Sequence, residues 1–354
     1  MKIGIVTYHR AHNYGAVLQC YALQEVIKSF GHDVCIIDYR QESIEKLYNP
    51  SKFSIVKKKL FHPRSLIGLR IVFNEFKKKR SLFEEFTERF LNLSSPCSFE
   101  SIPDCDVYIV GSDQMWSIDC VGDVIDPVYF GQFSRKKDSK LIGFSISSNL
   151  HSLNILADKL PIYINNFDNI SFRESEIAQT IYERTSILKE VTIDPTLCGK
   201  PSIWDGLINH NWSKQKYLVL YHVKLRFANI VYKLLLQKAH TLAEKHGWKV
   251  VDLSTGEYSV LDFVSAIKYA QCVITSSFHA TVFSIIFSKS LFAVKLHDGN
   301  DARYVDLLKN LRMDNALVDL DFSEIDPEMF NYTEVHERLL EYRKSSNEYL
   351  IRNI

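Results

Sequence analysis

The sequence predicts an α/β protein made of two Rossmann-like halves. Three observations carry that prediction. Short β-branched apolar runs alternate with helix-period segments from Lys2 onward. The alternation breaks at "DPTLCGKPSIW", where two prolines and a glycine interrupt it, and a second series starts at Tyr217. The chain has 354 residues, and single cores stop growing at about 250–300, so two domains are expected.

The elements follow in order. "KIGIVTY" (2–8) reads as a buried strand, and "GAVLQCYALQEVIKSFG" as a helix stopped by Gly31. "DVCIIDY" (33–39) completes a βαβ unit, whose right-handed crossover starts a parallel sheet. "VYIVGS" (107–112), "KLIGFSI" (140–146), "NISFRE" (169–174) and "VTIDP" (191–195) continue that sheet. Their unbroken apolar character is what a sheet covered on both faces requires. In the second half the strands are "YLVLYHV" (217–223), "KVVDLS" (249–254), "CVITSS" (272–277) and "LFAVKL" (291–296). A helix over about 226–246 is closed by Gly247, and a last helix is expected over about 334–351. The domains read as 1–197, with a basic helical insertion at about 50–95, and 198–330. Residues 331–354 form a terminal helix that can cross back to the first domain.

Composition narrows the function classes. Apolar residues make up 46%, charged residues 24%, and the net charge is +1, which argues against a nucleic-acid binder. The balance is local: Lys52 to Arg80 holds ten basic residues and one acid, whereas Asp314 to Glu341 holds nine acids and one base. Seven cysteines without a Cys-x-x-Cys pair suit a reduced, cytoplasmic protein. No run approaches the roughly 18 apolar residues of a membrane span, so membrane contact is expected to be peripheral, at the inner face. The basic segment reads either as a helix leaning on anionic lipid or on a lipid diphosphate, or as an amphipathic helix covering the first domain.

Polar residues gather where strands end. In "VITSSFHATVFSIIF" a single histidine, His279, sits where a strand becomes a helix, behind Ser276 and Ser277. That is where a helix N-terminus and a strand's carboxyl end face a ligand crevice; the alternative is a core histidine bonded to a carbonyl. After the first strand, Asn13 can cap the next helix, and Tyr14 and Gly15 open its amide groups to a ligand. "GSDQMW" offers Ser112, Asp113 and Gln114, either as sugar contacts or as an Asx turn over Trp116. Arg173, in "SFRESE", can clamp a carboxylate or phosphate, or pair internally with Glu174. Arg303 is expected on a loop after the last strand. His9 and His12 have metal-pair spacing but no third ligand, so no metal is expected. The lack of G-x-G-x-x-G and Walker A patterns argues against nicotinamide, flavin or P-loop nucleotide sites.

Taken together, "NYGAVLQCYALQ", "GSDQMW", "ISFRESE", "TIDPTL" and "TSSFHATVFSIIFSKSLFAV…DAR" resemble the polysaccharide pyruvyltransferase family from Lys2 to about Leu311. The resemblance implies a GT-B-like arrangement with the active site in the interdomain cleft. It implies phosphoenolpyruvate as donor substrate, no cofactor, and transfer of a pyruvyl group to two hydroxyls of a sugar in a surface polysaccharide or its lipid-linked precursor. It makes His279 the general acid, and Arg173 and Arg303 the donor's anion contacts. This chain departs from the better-described members, which carry Arg-Leu-His where it has Ser277, Phe278 and His279. Either Ser277 or Arg303 then supplies the lost bidentate contact, or the donor differs. Two other readings stay open: a nucleotide-sugar glycosyltransferase, with Asp252 or Glu257 holding a ribose, and a non-catalytic sugar-binding protein of the same fold.

Overall fold

The computed structural model of the chain describes residues 1–42, 45, 66–118, 125–223, 230–297, 299, 301–322, 327 and 330–354. It divides into two compact units, Met1–Cys198 with Ser345–Ile354, and Gly199–Lys344.

In the first unit the strands are β1 (Lys2–Val6), β2 (Asp33–Ile36), β3 (Val107–Val110), β4 (Lys140–Ile146), β5 (Asn169–Phe172) and β6 (Glu190–Val191). They form one parallel sheet in the order β2-β1-β3-β4-β5-β6. All four residues of β3 are buried, as strands covered by helices on both faces must be. The helices are α1 (Tyr14–Ser29), α2 (Leu66–Phe90), α3 (Leu150–Ile155), α4 (Leu160–Asn165), α5 (Ser175–Thr185) and α6 (Pro195–Cys198). Trp116 anchors the core, stacked on Phe130 at 5.1 Å with its indole N–H donating to the Tyr129 carbonyl at 3.1 Å.

The second unit has β7 (Tyr217–Tyr221), β8 (Lys249–Asp252), β9 (Cys272–Thr275), β10 (Ser290–Lys295) and β11 (Leu317–Asp319), parallel in the order β11-β10-β9-β7-β8. Its helices are α7 (Ile230–His246), α8 (Val260–Tyr269), α9 (Phe278–Ile286) and α10 (Ala302–Asn310). The last helix, α11 (Tyr332–Asn353), starts in this unit and ends in the first. There the Ser346 hydroxyl accepts the Ile193 N–H, and Tyr349 donates to the Gly143 carbonyl.

Both sheets obey one winding rule: the first strand is flanked by the second on one side and the third on the other. The topological switch points, where loops diverge and ligands bind, therefore lie between β1 and β3 and between β7 and β9.

Several strands end two residues before their apolar runs suggest. The runs 2–8, 107–112, 169–174 and 272–277 stop pairing at Val6, Val110, Phe172 and Thr275, because the polar residues that follow turn toward side-chain partners. The short edge strand β11 carries no periodic signal and is not expected from the sequence. Arg303 stands in the first turn of α10 and not on a loop before it, because Asp301 accepts the Leu296 and His297 N–H groups and starts the helix early. Of the basic insertion at about 50–95, residues 50–65 lie outside the described residues. Helix α2 covers 66–90, with Phe83 and Phe86 buried and Lys77 and Lys78 exposed.

Candidate functional site

In the second unit, Thr275 joins the two strands of the switch point. Its hydroxyl donates to the Tyr221 carbonyl at 2.7 Å and accepts the Ser277 N–H at 3.0 Å. Ser277 is the N-cap of α9, its hydroxyl accepting the Ala280 N–H at 3.5 Å. That explains a serine here: an arginine has no acceptor to cap with. His279 follows as the second residue of α9, 6% exposed, with its ring edge-on to Phe278 at 5.0 Å. On the β7 side the first residue past the strand is His222, 2% exposed. Its N–H donates to the Ser254 hydroxyl at 2.9 Å, and its Nδ1 lies 2.7 Å from Ser276 Oγ. The switch point thus gathers Ser276, Ser277 and His279 with one residue the sequence reading did not single out, His222. The available signal was a histidine ending a run of five buried strand residues, "YLVLY".

The first unit builds its switch point differently. Thr7, just past β1, donates to the Ser112 carbonyl at 3.3 Å and accepts from Gln19 of α1 at 2.8 Å, while Gln19 also accepts the Ser112 N–H at 3.3 Å. The turn after β3 needs a glycine: Gly111 has φ +131°, and a Cβ there would lie 2.1 Å from the Phe144 carbonyl oxygen. Ser112 donates to the Ser145 carbonyl at 2.9 Å. Asp113, at φ +76°, puts a carboxylate oxygen 3.6 Å from Arg173. Gln114 is half-buried beside it. Asn13 caps α1 by accepting the Gly15 N–H at 2.9 Å, and buried Tyr14 packs on Phe83 at 5.1 Å.

Arg173 is buried among carboxylates. Its Nε donates to Glu174 and its Nη1 to Asp194, each at 2.8 Å. Burial works against its charge, but Glu174, Asp194 and Asp113 hold the guanidinium more firmly protonated than in water. This is the internal-pair arrangement for that residue. Ser147 also donates to Glu174, at 2.8 Å.

His9 and His12 lie apart in function. His9 is bonded to the Thr7 carbonyl and to Asp38, whereas His12 stacks on Phe83 at 5.6 Å. Arg303 is half-buried. In the ribose position considered for a nucleotide sugar, both Asp252 oxygens are engaged, accepting from Tyr232 at 2.6 Å and from the Ser254 N–H at 2.9 Å, and Glu257 is exposed. Among the described residues, no helix is long and apolar enough to cross a membrane.

Two doubly wound parallel units, with polar side chains collected past the strand carboxyl ends, define an α/β enzyme of the GT-B fold. The UDP-GlcNAc 2-epimerase from Methanocaldococcus jannaschii shares that fold at TM-score 0.51 and 12% identity, over 99% of both chains. The glycosyltransferase SnogD from Streptomyces nogalater matches at TM-score 0.43 and 10% identity, over 98% of this chain and 95% of that one. No curated protein matches the sequence. The chain belongs to the polysaccharide pyruvyl transferase family, whose model matches residues 13–298. It is thereby a transferase of polysaccharide biosynthesis.

Proposed function

We propose that the protein transfers the pyruvyl carbons of phosphoenolpyruvate to two hydroxyls of one sugar, forming a ketal and releasing phosphate, with His279 as the acid. The observation that carries this reading is a buried histidine in the first turn of α9, at the switch point of its unit. The positive end of that helix suits a donor bearing a phosphate and a carboxylate.

The steps balance. His279 gives a proton to C3 of the enol, C2 becomes oxocarbenium-like, and the first sugar hydroxyl bonds to it, losing its proton. Phosphate then leaves C2 with the C–O bonding pair, and the second hydroxyl closes the ketal as its proton passes to solvent or phosphate. Because Ser277 is occupied as a cap, the α9 amides and Arg303 are the donor's anion contacts in this reading, with the hydroxyl of Ser276 and the ring of His222 beside them. The acceptor is a saccharide of a surface polysaccharide under assembly, carried on a lipid at the cytoplasmic face of the membrane. No cofactor takes part.

Phosphate release from phosphoenolpyruvate should depend on a saccharide acceptor and yield an acid-labile ketal. Thermal stabilisation by phosphoenolpyruvate should reach about 2.7 kcal/mol at a hundredfold excess over its dissociation constant. Stabilisation by a nucleotide sugar and none by phosphoenolpyruvate would overturn the reading.

A further inference from the structure

A polar cavity lies in the first unit, and neither Ser112 nor Asp113 of the β1–β3 switch lines it. It is open and small, about 20 Å³, and is lined by Arg10, His12, Arg40, Arg80, Phe83 and Glu84, together with Glu45 and Thr87. One water fills about 10–15 Å³ on this measure, so the cavity takes one group of a ligand and not a whole sugar.

Three guanidiniums from three elements converge there: the loop after β1, the segment after β2, and α2. Of the carboxylates close to them, Asp38 and Glu84 are committed to an arginine, and Glu45 lines the cavity as well. Asp38, behind the cavity, takes the Nε and Nη2 edge of Arg10 at 3.0 and 2.7 Å, and Arg40 at 3.4 Å. Glu84 takes only the Nε of Arg80, at 2.7 Å. Arg10 Nη1 and both Nη groups of Arg80 keep donors that no contact among the described residues consumes, on a planar fork that matches an oxyanion. His12 at its wall is pushed down to about 4, by burial first and then by Lys79 and Arg80.

We propose that this cavity binds a phosphoryl group, the phosphate of a phosphorylated saccharide acceptor. The assignment to the acceptor rests on the reading of the protein as a saccharide-modifying transferase; the assignment to phosphoryl chemistry rests on the arginines. The exposed carboxylate side of the cavity then meets the sugar that carries the phosphate, as hydroxyl acceptors.

Arg40 and Arg80 are about half exposed, at 46% and 48%, whereas Arg10 is 15% exposed and pairs with buried Asp38. The double variant Arg40→Gln/Arg80→Gln therefore removes two forks without orphaning a buried charge. Calorimetric titration of the full chain with glucose 1-phosphate, inorganic phosphate and glucose tests the proposal without turnover or phosphoenolpyruvate. Glucose 1-phosphate should bind at least tenfold more tightly than glucose, the double variant should lose at least tenfold of that affinity, and Lys77→Gln on the same helix should change it less than twofold. Equal binding by wild type and double variant, or equal loss in Lys77→Gln, overturns the phosphoryl site. Binding of inorganic phosphate without glucose 1-phosphate overturns the acceptor assignment. Failure of pyruvyl transfer with intact binding overturns the proposed reaction and leaves the phosphoryl site standing.

Discussion

Past the end of β5, Arg173 is locked among Glu174, Asp194 and Asp113, so the strand ends of the first unit close on a buried ion cluster of one guanidinium and three carboxylates. Past the ends of β7 and β9, the second unit presents His222, Ser276, Ser277 and His279, imidazoles and hydroxyls in place of carboxylates and a guanidinium. The winding order is the same in both sheets. Topology therefore sets where polar groups collect, and side-chain identity decides whether they form an ion cluster or a set of hydroxyls and imidazoles. An ion-paired cluster fixes geometry. A histidine beside a helix N-terminus can exchange a proton with a ligand.

The sharpest way to break this contrast is to remove one residue from each side. His279→Ala should lower turnover by about 10² to 10⁴ and leave the fold and donor binding in place, since a general acid acts on the transition state. His279→Gln should be equally inactive, because it donates a hydrogen bond but no proton. Melting temperature, donor affinity and turnover measured together check this: a destabilised variant with near-normal turnover per folded molecule would return His279 to a core role.

Arg173→Met should behave in the opposite way. Removing the cation leaves Glu174 and Asp194 buried without compensation, at a cost of about 3–5 kcal/mol measured by urea unfolding. A stable variant that has lost only phosphoenolpyruvate affinity would instead make Arg173 an anion clamp, and the two switch points would then resemble each other.

A third test uses pH. His12 titrates near 4 in the folded chain and near 6.5 when unfolded, so the unfolded state binds more protons between those values. Stability from this group is full above about 6.5 and is lost as pH falls toward 4. His12→Gln should flatten the dependence of melting temperature over that window; an unchanged slope would assign it to other groups.

The smallest effects compare the two caps. Asn13→Ala and Ser277→Ala should each cost about 1 kcal/mol, read as a lowered urea midpoint. Ser277→Asp keeps a capping oxygen but adds a negative charge at the start of α9, so it should preserve stability and weaken phosphoenolpyruvate binding. Unchanged donor affinity in that variant would move the donor away from α9.

Much of the fold is legible along the chain, because buried parallel strands need continuous apolar runs and the helices between them need a 3.6-residue period. Strand ends are less so. "VITSS" reads as one strand through Ser277, yet pairing stops at Thr275 because Thr275 and Ser277 spend their polar groups on Tyr221 and the α9 amides. The resemblance rested on motifs, and all of them except "DAR" (301–303) lie in the family match.

By itself the sequence determined the α/β class, the two parallel series of strands and the position of His279 at a strand-to-helix turn, since each is a matter of local pattern. Only the tertiary structure decided the partners. It paired Arg173 with Asp194, placed His222 against Ser276 across 54 positions of chain, and drew Arg10, Arg40 and Arg80 around one cavity. The physical reason is that a charge or a hydroxyl carries no periodicity that names its partner. What neutralises it is set by which strands the sheet makes neighbours, and that order is fixed by the packing of the whole unit.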